Sequence, residues 1–188
     1  MSANKKNYFK FSLALTLCLL VRLIPLRTPN VEPILATLMP ISRAYGAFVG
    51  FSFAVLSILL YDVITGTLGV QTFFTVLAYG ILGLWSASYF KKTKENSANK
   101  WGYVRFAIIG TLLYDALTGL TIGPIFFHQS FFGSLVGQIP FTLLHLLGNI
   151  AFAFILSPAI YNFMIKKRRK KTEKEKLPLE NILYPKTI

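Results

Sequence analysis

Long apolar blocks alternate with short polar or proline-rich segments along this chain, and their lengths predict helices that cross a bilayer. Residues 44–90 contain one formal charge, Asp62, and residues 106–165 contain one, Asp115. Stretches that long and that poor in charge exceed any element of a soluble core, and each suffices to cross a hydrocarbon layer of about 30 Å twice. Six spans follow: residues 8–24, with Arg22 near the end; a short 31–42, interrupted by Pro33 and Pro40; then 45–64, 71–90, 103–120 and 141–165. Residues 25–33 hold three prolines in nine positions. Proline fixes its own backbone and restricts the residue before it, so this segment reads as an ordered, extended loop. Residues 91–103 are polar and basic, a connecting loop. Residues 122–137 are apolar but rich in Gly and Phe. We read them as a loop with a short interfacial or re-entrant helix, a backbone allowed at that depth only where protein or a cavity covers it. The expected fold is all-α, a polytopic membrane protein of six transmembrane helices over residues 1–165, followed by a basic, disordered cytoplasmic tail over residues 166–188.

Composition sharpens this picture. Of the 188 residues, 54% are hydrophobic and only 14% are charged, against about 25% charged in soluble domains. An ordinary soluble enzyme, a nucleic-acid-binding domain and a secreted disulfide scaffold are thereby excluded. The net charge of +13 is confined to the flanks and loops: Lys5, Lys6 and Lys10, residues 91–105, and the run 166–176. That placement is a topology and lipid-headgroup signal, not a nucleic-acid footprint. With six spans, the basic termini, Arg43 and the 91–105 loop share one side, while residues 25–33, 65–70 and 121–137 on the other hold a single basic residue, Arg27. The positive-inside rule then puts both termini in the cytoplasm of a cell carrying this protein in its plasma membrane. The first block lacks a small-residue cleavage signature and reads as a retained helix. The lone Cys18 sits in an apolar run, so no internal disulfide forms, and no metal cluster or cofactor is expected.

An internal echo stands out. Leu59-Leu-Tyr-Asp-Val-Ile-Thr-Gly66 and Leu112-Leu-Tyr-Asp-Ala-Leu-Thr-Gly119 agree at six of eight positions, offset by 53 residues. Parallel repeats of this kind occur in transporters, with sites where the repeats meet; similar helix ends chosen independently are the plain alternative. Each copy carries an acid, Asp62 or Asp115, and an ionisable group in a membrane segment marks function unless it only caps its helix. Tyr61 and Tyr114 beside them read as interfacial anchors. In the sixth span, Gln138, Thr142, His145 and Asn149 recur at intervals of four, three and four, which places them on one helical face. Such a stripe either lines a wet cavity in the outer half of the membrane or hydrogen-bonds span six to a neighbour. His128 and Gln129 in the preceding loop are placed to close over it. Gly46, Gly50 and Ala54, with Gly80 and Gly83, predict close helix packing.

The six short spans, the Pro29-Asn-Val-Glu-Pro33 loop and Ile139-Pro-Phe-Thr-Leu-Leu-His-Leu-Leu-Gly-Asn149 opening span six resemble the substrate-binding S components of energy-coupling factor transporters. The resemblance covers roughly residues 10–165 and implies a non-enzymatic subunit that binds a vitamin or related micronutrient near the outer face. It also implies a separate transmembrane coupling subunit with ATPases as partner. Carried over, the lid is residues 27–33, with Asn30 and Glu32. Binding groups come from the outer ends of spans four to six, with Gln71, Asp115 and the four-residue stripe as candidates there, beside Asp62 near the end of span three and His128 in the loop before span six. The chain departs from the family where the first span carries only Ala14 and Cys18 in place of an Ala-x-x-x-Ala face. Two other classes stand beside this one: a structural membrane scaffold with no ligand, and an intramembrane aspartyl protease using Asp62 and Asp115 as a dyad.

Overall fold

The computed structural model describes residues 3–25, 31–92 and 99–183, with side chains described for 7–25, 31–92 and 99–165. Asn30, Arg27 and the side chains of the basic tail therefore lie outside the described residues. Within them the chain is all-helical, in six helices: α1 (Ala3–Arg22), α2 (Ile34–Tyr45), α3 (Ala47–Thr65), α4 (Val70–Lys92), α5 (Lys100–Phe126) and α6 (Phe131–Leu183). Four segments are long and apolar enough to cross a membrane: α3, α4, α5 and the Phe131–Ile165 part of α6. Their outward faces carry large apolar groups such as Phe73, Leu147 and Ile155, at 66, 67 and 72% exposure. A surface that apolar suits hydrocarbon, not water.

The other helices are set by what surrounds them. α2 has 12 residues, about 18 Å of helix, and is the centre of the bundle: Ile34 to Ser42 are all buried and it packs on α1, α3, α4, α5 and α6. Pro40 inside it has no N–H to give the Ala36 carbonyl, the usual loss at a helical proline. Ser157 of α6 supplies the missing donor, its hydroxyl 2.7 Å from that oxygen. One residue, Gly46, separates α2 from α3 at φ +100°, a conformation that side chains other than glycine's rarely adopt. Four residues on, α3 meets α4 backbone to backbone: a Cβ on Gly83 would lie 2.8 Å from the Gly50 carbonyl carbon.

Side-chain contacts show that successive helices alternate in direction. At one end Arg43 of α2 lies over the rings of Phe90, Tyr103 and Tyr161, from α4, α5 and α6, and the Lys10 ammonium donates to the carbonyls of Phe163 and Met164. At the other end meet Arg22 of α1, Glu32 just before α2, Asp62 of α3, Tyr114 of α5 and His145 of α6. The first end is the basic one, where the 91–105 segment and both chain ends attach; the second is where the site lies.

Two expectations fail. The segment after residue 165, expected to be disordered, continues α6 as helix to Leu183. Residues 122–137 do not form a loop with its own short helix: α5 runs on to Phe126 and α6 begins at Phe131, leaving a four-residue connection. The two helices pack on one another more extensively than any other pair, and this mutual surface carries them past the glycines. α5 stops where the Gly123 carbonyl takes the amides of both Phe127 and Gln129 and His128 turns left-handed at φ 52°. Ser130 opens α6, its hydroxyl accepting from the Gly133 amide, as a helix N-cap does.

Candidate functional site

A cavity of about 250 Å³ opens among the helix ends away from the basic end, lined by Arg22, Glu32, Asp62, Thr67, Gln71, Thr75, Tyr114, Phe141 and His145. Its walls are charged groups held in place. Arg22 pairs with Glu32 at 3.2 Å, donates to the Ser57 carbonyl at 3.0 Å and lies 3.8 Å over the Tyr61 ring. Both partners are about nine-tenths buried, where an ion pair offsets the desolvation of each charge only when further hydrogen bonds support it. The Tyr79 hydroxyl gives Glu32 that support at 2.6 Å.

The two echoed aspartates meet different fates. Asp62 sits at the C-terminal turn of α3, which Gly66 ends in the left-handed conformation at φ 68°. The amides of Gly66 and Thr67 turn back onto the Val63 and Asp62 carbonyls, a Schellman closure. The chain then doubles back into α4, bringing the hydroxyls of Thr72 and Thr67 to the Asp62 carboxylate at 2.5 and 3.4 Å. Asp115 lies inside α5, fully covered, with one oxygen 2.8 Å from His145 Nδ1; its other oxygen has no hydrogen-bond partner. A dyad sharing a proton has no support in these contacts, since each carboxylate has partners of its own.

Of the stripe on α6, His145 reaches the cavity, with Tyr114 and Phe141 edge-on to its ring at 5.4 and 6.0 Å. Asn149, buried one turn deeper, donates to the Thr111 hydroxyl of α5 at 2.8 Å. Gln138 and Thr142 bond to each other at 3.4 Å, and Gln138 lines a separate polar notch with Gly119, Gln129 and Ser134. His128 touches neither space. Gln71 lies on the cavity rim, donating to the Thr67 carbonyl at 3.0 Å. Glu32 and Asp62 line the cavity, and Asp115 backs it through His145.

Sequence reasoning missed five contributors, among them Thr67 in the turn after α3, whose hydroxyl reaches Asp62. Arg22 was in view as the one charge near the end of the first block, and a cation there called for a carboxylate partner. Tyr114, expected as an interfacial anchor, is instead a cavity wall stacked 4.4 Å from Tyr79. Thr75 and Phe141 gave no signal, being ordinary residues in an apolar block.

Residues 11–114, more than half of the chain, match the family described as ECF-type riboflavin transporter, S component. No curated protein and no solved structure matches the chain. The chain belongs to the ECF-type S-component family: it is a multi-pass plasma-membrane protein, a substrate-binding component of a transporter and not an enzyme.

Proposed function

On that membership we propose that the chain captures a vitamin-class small molecule in the Arg22–Glu32–Asp62–His145 cavity and presents it for uptake to a membrane coupling subunit driven by ATPases. The observation that carries this reading is the cavity itself: every helix contributes to it directly or, for α2, through Glu32 at its entry, and it opens at the end opposite the basic segments. With the basic end in the cytoplasm, the cavity faces the outside, where an uptake binder receives its ligand. In this reading all six helices cross or enter the membrane, α2 as a short central element, and residues 166–188 form a cytoplasmic tail against anionic headgroups. Residues 27–33, joining α1 to α2 beside Glu32, form the lid.

Two measurements test it. In a Cys18→Ser background, single cysteines at residues 28 and 96 should label from outside and inside respectively; external labelling at residue 96 breaks the topology. A thermal-shift screen of the purified protein against vitamins and their precursors should find at least one stabilising compound, and cells carrying the chain with a coupling module should accumulate it. A scaffold without a ligand would show neither effect.

A further inference from the structure

Charge and proton inventories around the cavity do not balance. Among the described residues three carboxylates, Glu32, Asp62 and Asp115, stand at or directly behind its walls against one guanidinium, Arg22. Arg22 is committed to Glu32. Asp62, 91% buried, is held by two threonine hydroxyls and has no cation beside it among the described residues. It also sits at a helix C-terminus, where the helix dipole disfavours a negative charge. A buried carboxylate in that position needs a positive partner or strong donors.

The neighbouring histidine points the same way. An ionised Asp115 can only accept, so the proton of the 2.8 Å contact belongs to His145 Nδ1. Tyr79 gives its single proton to Glu32 at 2.6 Å and has none for His145 Nε2, which stands 3.5 Å from its oxygen. In the neutral ring, Nε2 therefore enters the cavity wall as an acceptor without a donor. A protonated His145 would cancel Asp115 and still leave the Asp62 charge in surplus.

We propose that the ligand of this cavity is a small organic cation whose protonated or quaternary nitrogen faces Asp62 and whose remaining N–H or O–H donors reach His145 Nε2. This rests on the substrate-binding reading above and narrows it to a chemical class. The space of about 250 Å³ is close to the lower end of small-molecule pockets, about 300–1,000 Å³, and far exceeds a bare metal ion. The rings of Tyr114 and Phe141 on the same walls suit an aromatic cation, which gains from aromatic faces as well as from the carboxylate. Riboflavin, the compound in the family's description, is uncharged, so the class inferred from this chain's own residues differs from it. Arg27 lies outside the described residues; binding is therefore measured on the full chain, where its charge is included.

The experiment is a charge series on the detergent-purified full-length protein. Thermal stabilisation and calorimetric affinity are measured for matched pairs, benzamidine against benzamide and thiamine against riboflavin, on wild type, Asp62→Asn and Thr72→Val. The cationic member of a pair should bind, and its neutral counterpart should bind at least tenfold more weakly. Asp62→Asn should weaken the cation by about thirtyfold, the loss of a hydrogen bond to a charged group, and so narrow the gap between the charged and neutral members of each pair. Thr72→Val removes a donor to Asp62 but keeps its charge, so it should retain the preference for cations even if Asp62→Asn folds poorly. Tighter binding of riboflavin or benzamide, unaffected by Asp62→Asn, overturns the cationic class while leaving the substrate-binding reading in place. Absence of binding by every vitamin and probe in wild type overturns both.

Discussion

The two copies of the Leu-Leu-Tyr-Asp-x-x-Thr-Gly octapeptide begin with nearly the same residues and end as different structures. In the first, Gly66 closes α3 and turns the chain, leaving Asp62 on the cavity wall with two threonine hydroxyls on its carboxylate. In the second, Gly119 lies within α5, which continues to Phe126, and Asp115 is enclosed against His145. The glycines do different work. Gly66 supplies a positive φ. Gly119 supplies empty space, since a Cβ there would collide with the Gln138 side chain of α6. The same octapeptide is thus a helix end where the following residues turn back and a helix middle where a neighbouring helix covers it. One carboxylate lines the cavity and the other is paired inside the bundle.

The contrast can be broken at four points, taken from the largest effect down. His145→Ala removes the partner of a fully buried carboxylate and should destabilise the detergent-solubilised protein by about 3–5 kcal/mol, measured by denaturant or thermal unfolding. Asp115→Asn should recover much of that loss when added to His145→Ala, and failure to do so would mean the pair is not coupled. Gly119→Val pushes a side chain into Gln138 and should cost about 1–3 kcal/mol through overpacking; loss of the Gln138→Ala background's tolerance, rather than its relief, would contradict the close-approach role. Gly66→Ala keeps ample room but not the φ, so about 1–2 kcal/mol is expected, unaffected by Gln138→Ala. Asp62→Asn should change stability least, by under about 1 kcal/mol, because the amide oxygen still accepts from Thr72. A large loss of stability there would make Asp62 a structural capping group.

Much of the fold was legible because it follows from burial in lipid. Blocks with a single charge in forty or more residues have no stable place but the membrane. Arg22 and Glu32 flank the proline-rich segment and were individually visible, but their pairing needed the start of α2 to fold beside the end of α1. The stripe of Gln138, Thr142, His145 and Asn149 was legible as one face, and it does lie on one face. Which of its members meets which space was not legible: Asn149 finds Thr111, Gln138 lines the notch beside Gly119, and His145 reaches the charged cavity. Helix periodicity gives a side chain its direction but not its neighbour.

The sequence by itself determined the class of this protein: all-helical, membrane-embedded, with its basic clusters at one end and its two intrahelical aspartates toward the other. It also carried the family, since layout and motif survive in the order of the residues. The tertiary structure alone decided that α5 and α6 extend over 122–137, that Ser157 replaces the donor Pro40 lacks, and that Asp62 and Asp115 are not equivalent. The physical reason is that composition and periodicity report the medium a segment must face, which is a local property. Whether a glycine ends a helix or a carboxylate goes unpaired depends on atoms that arrive from another helix, tens of residues away.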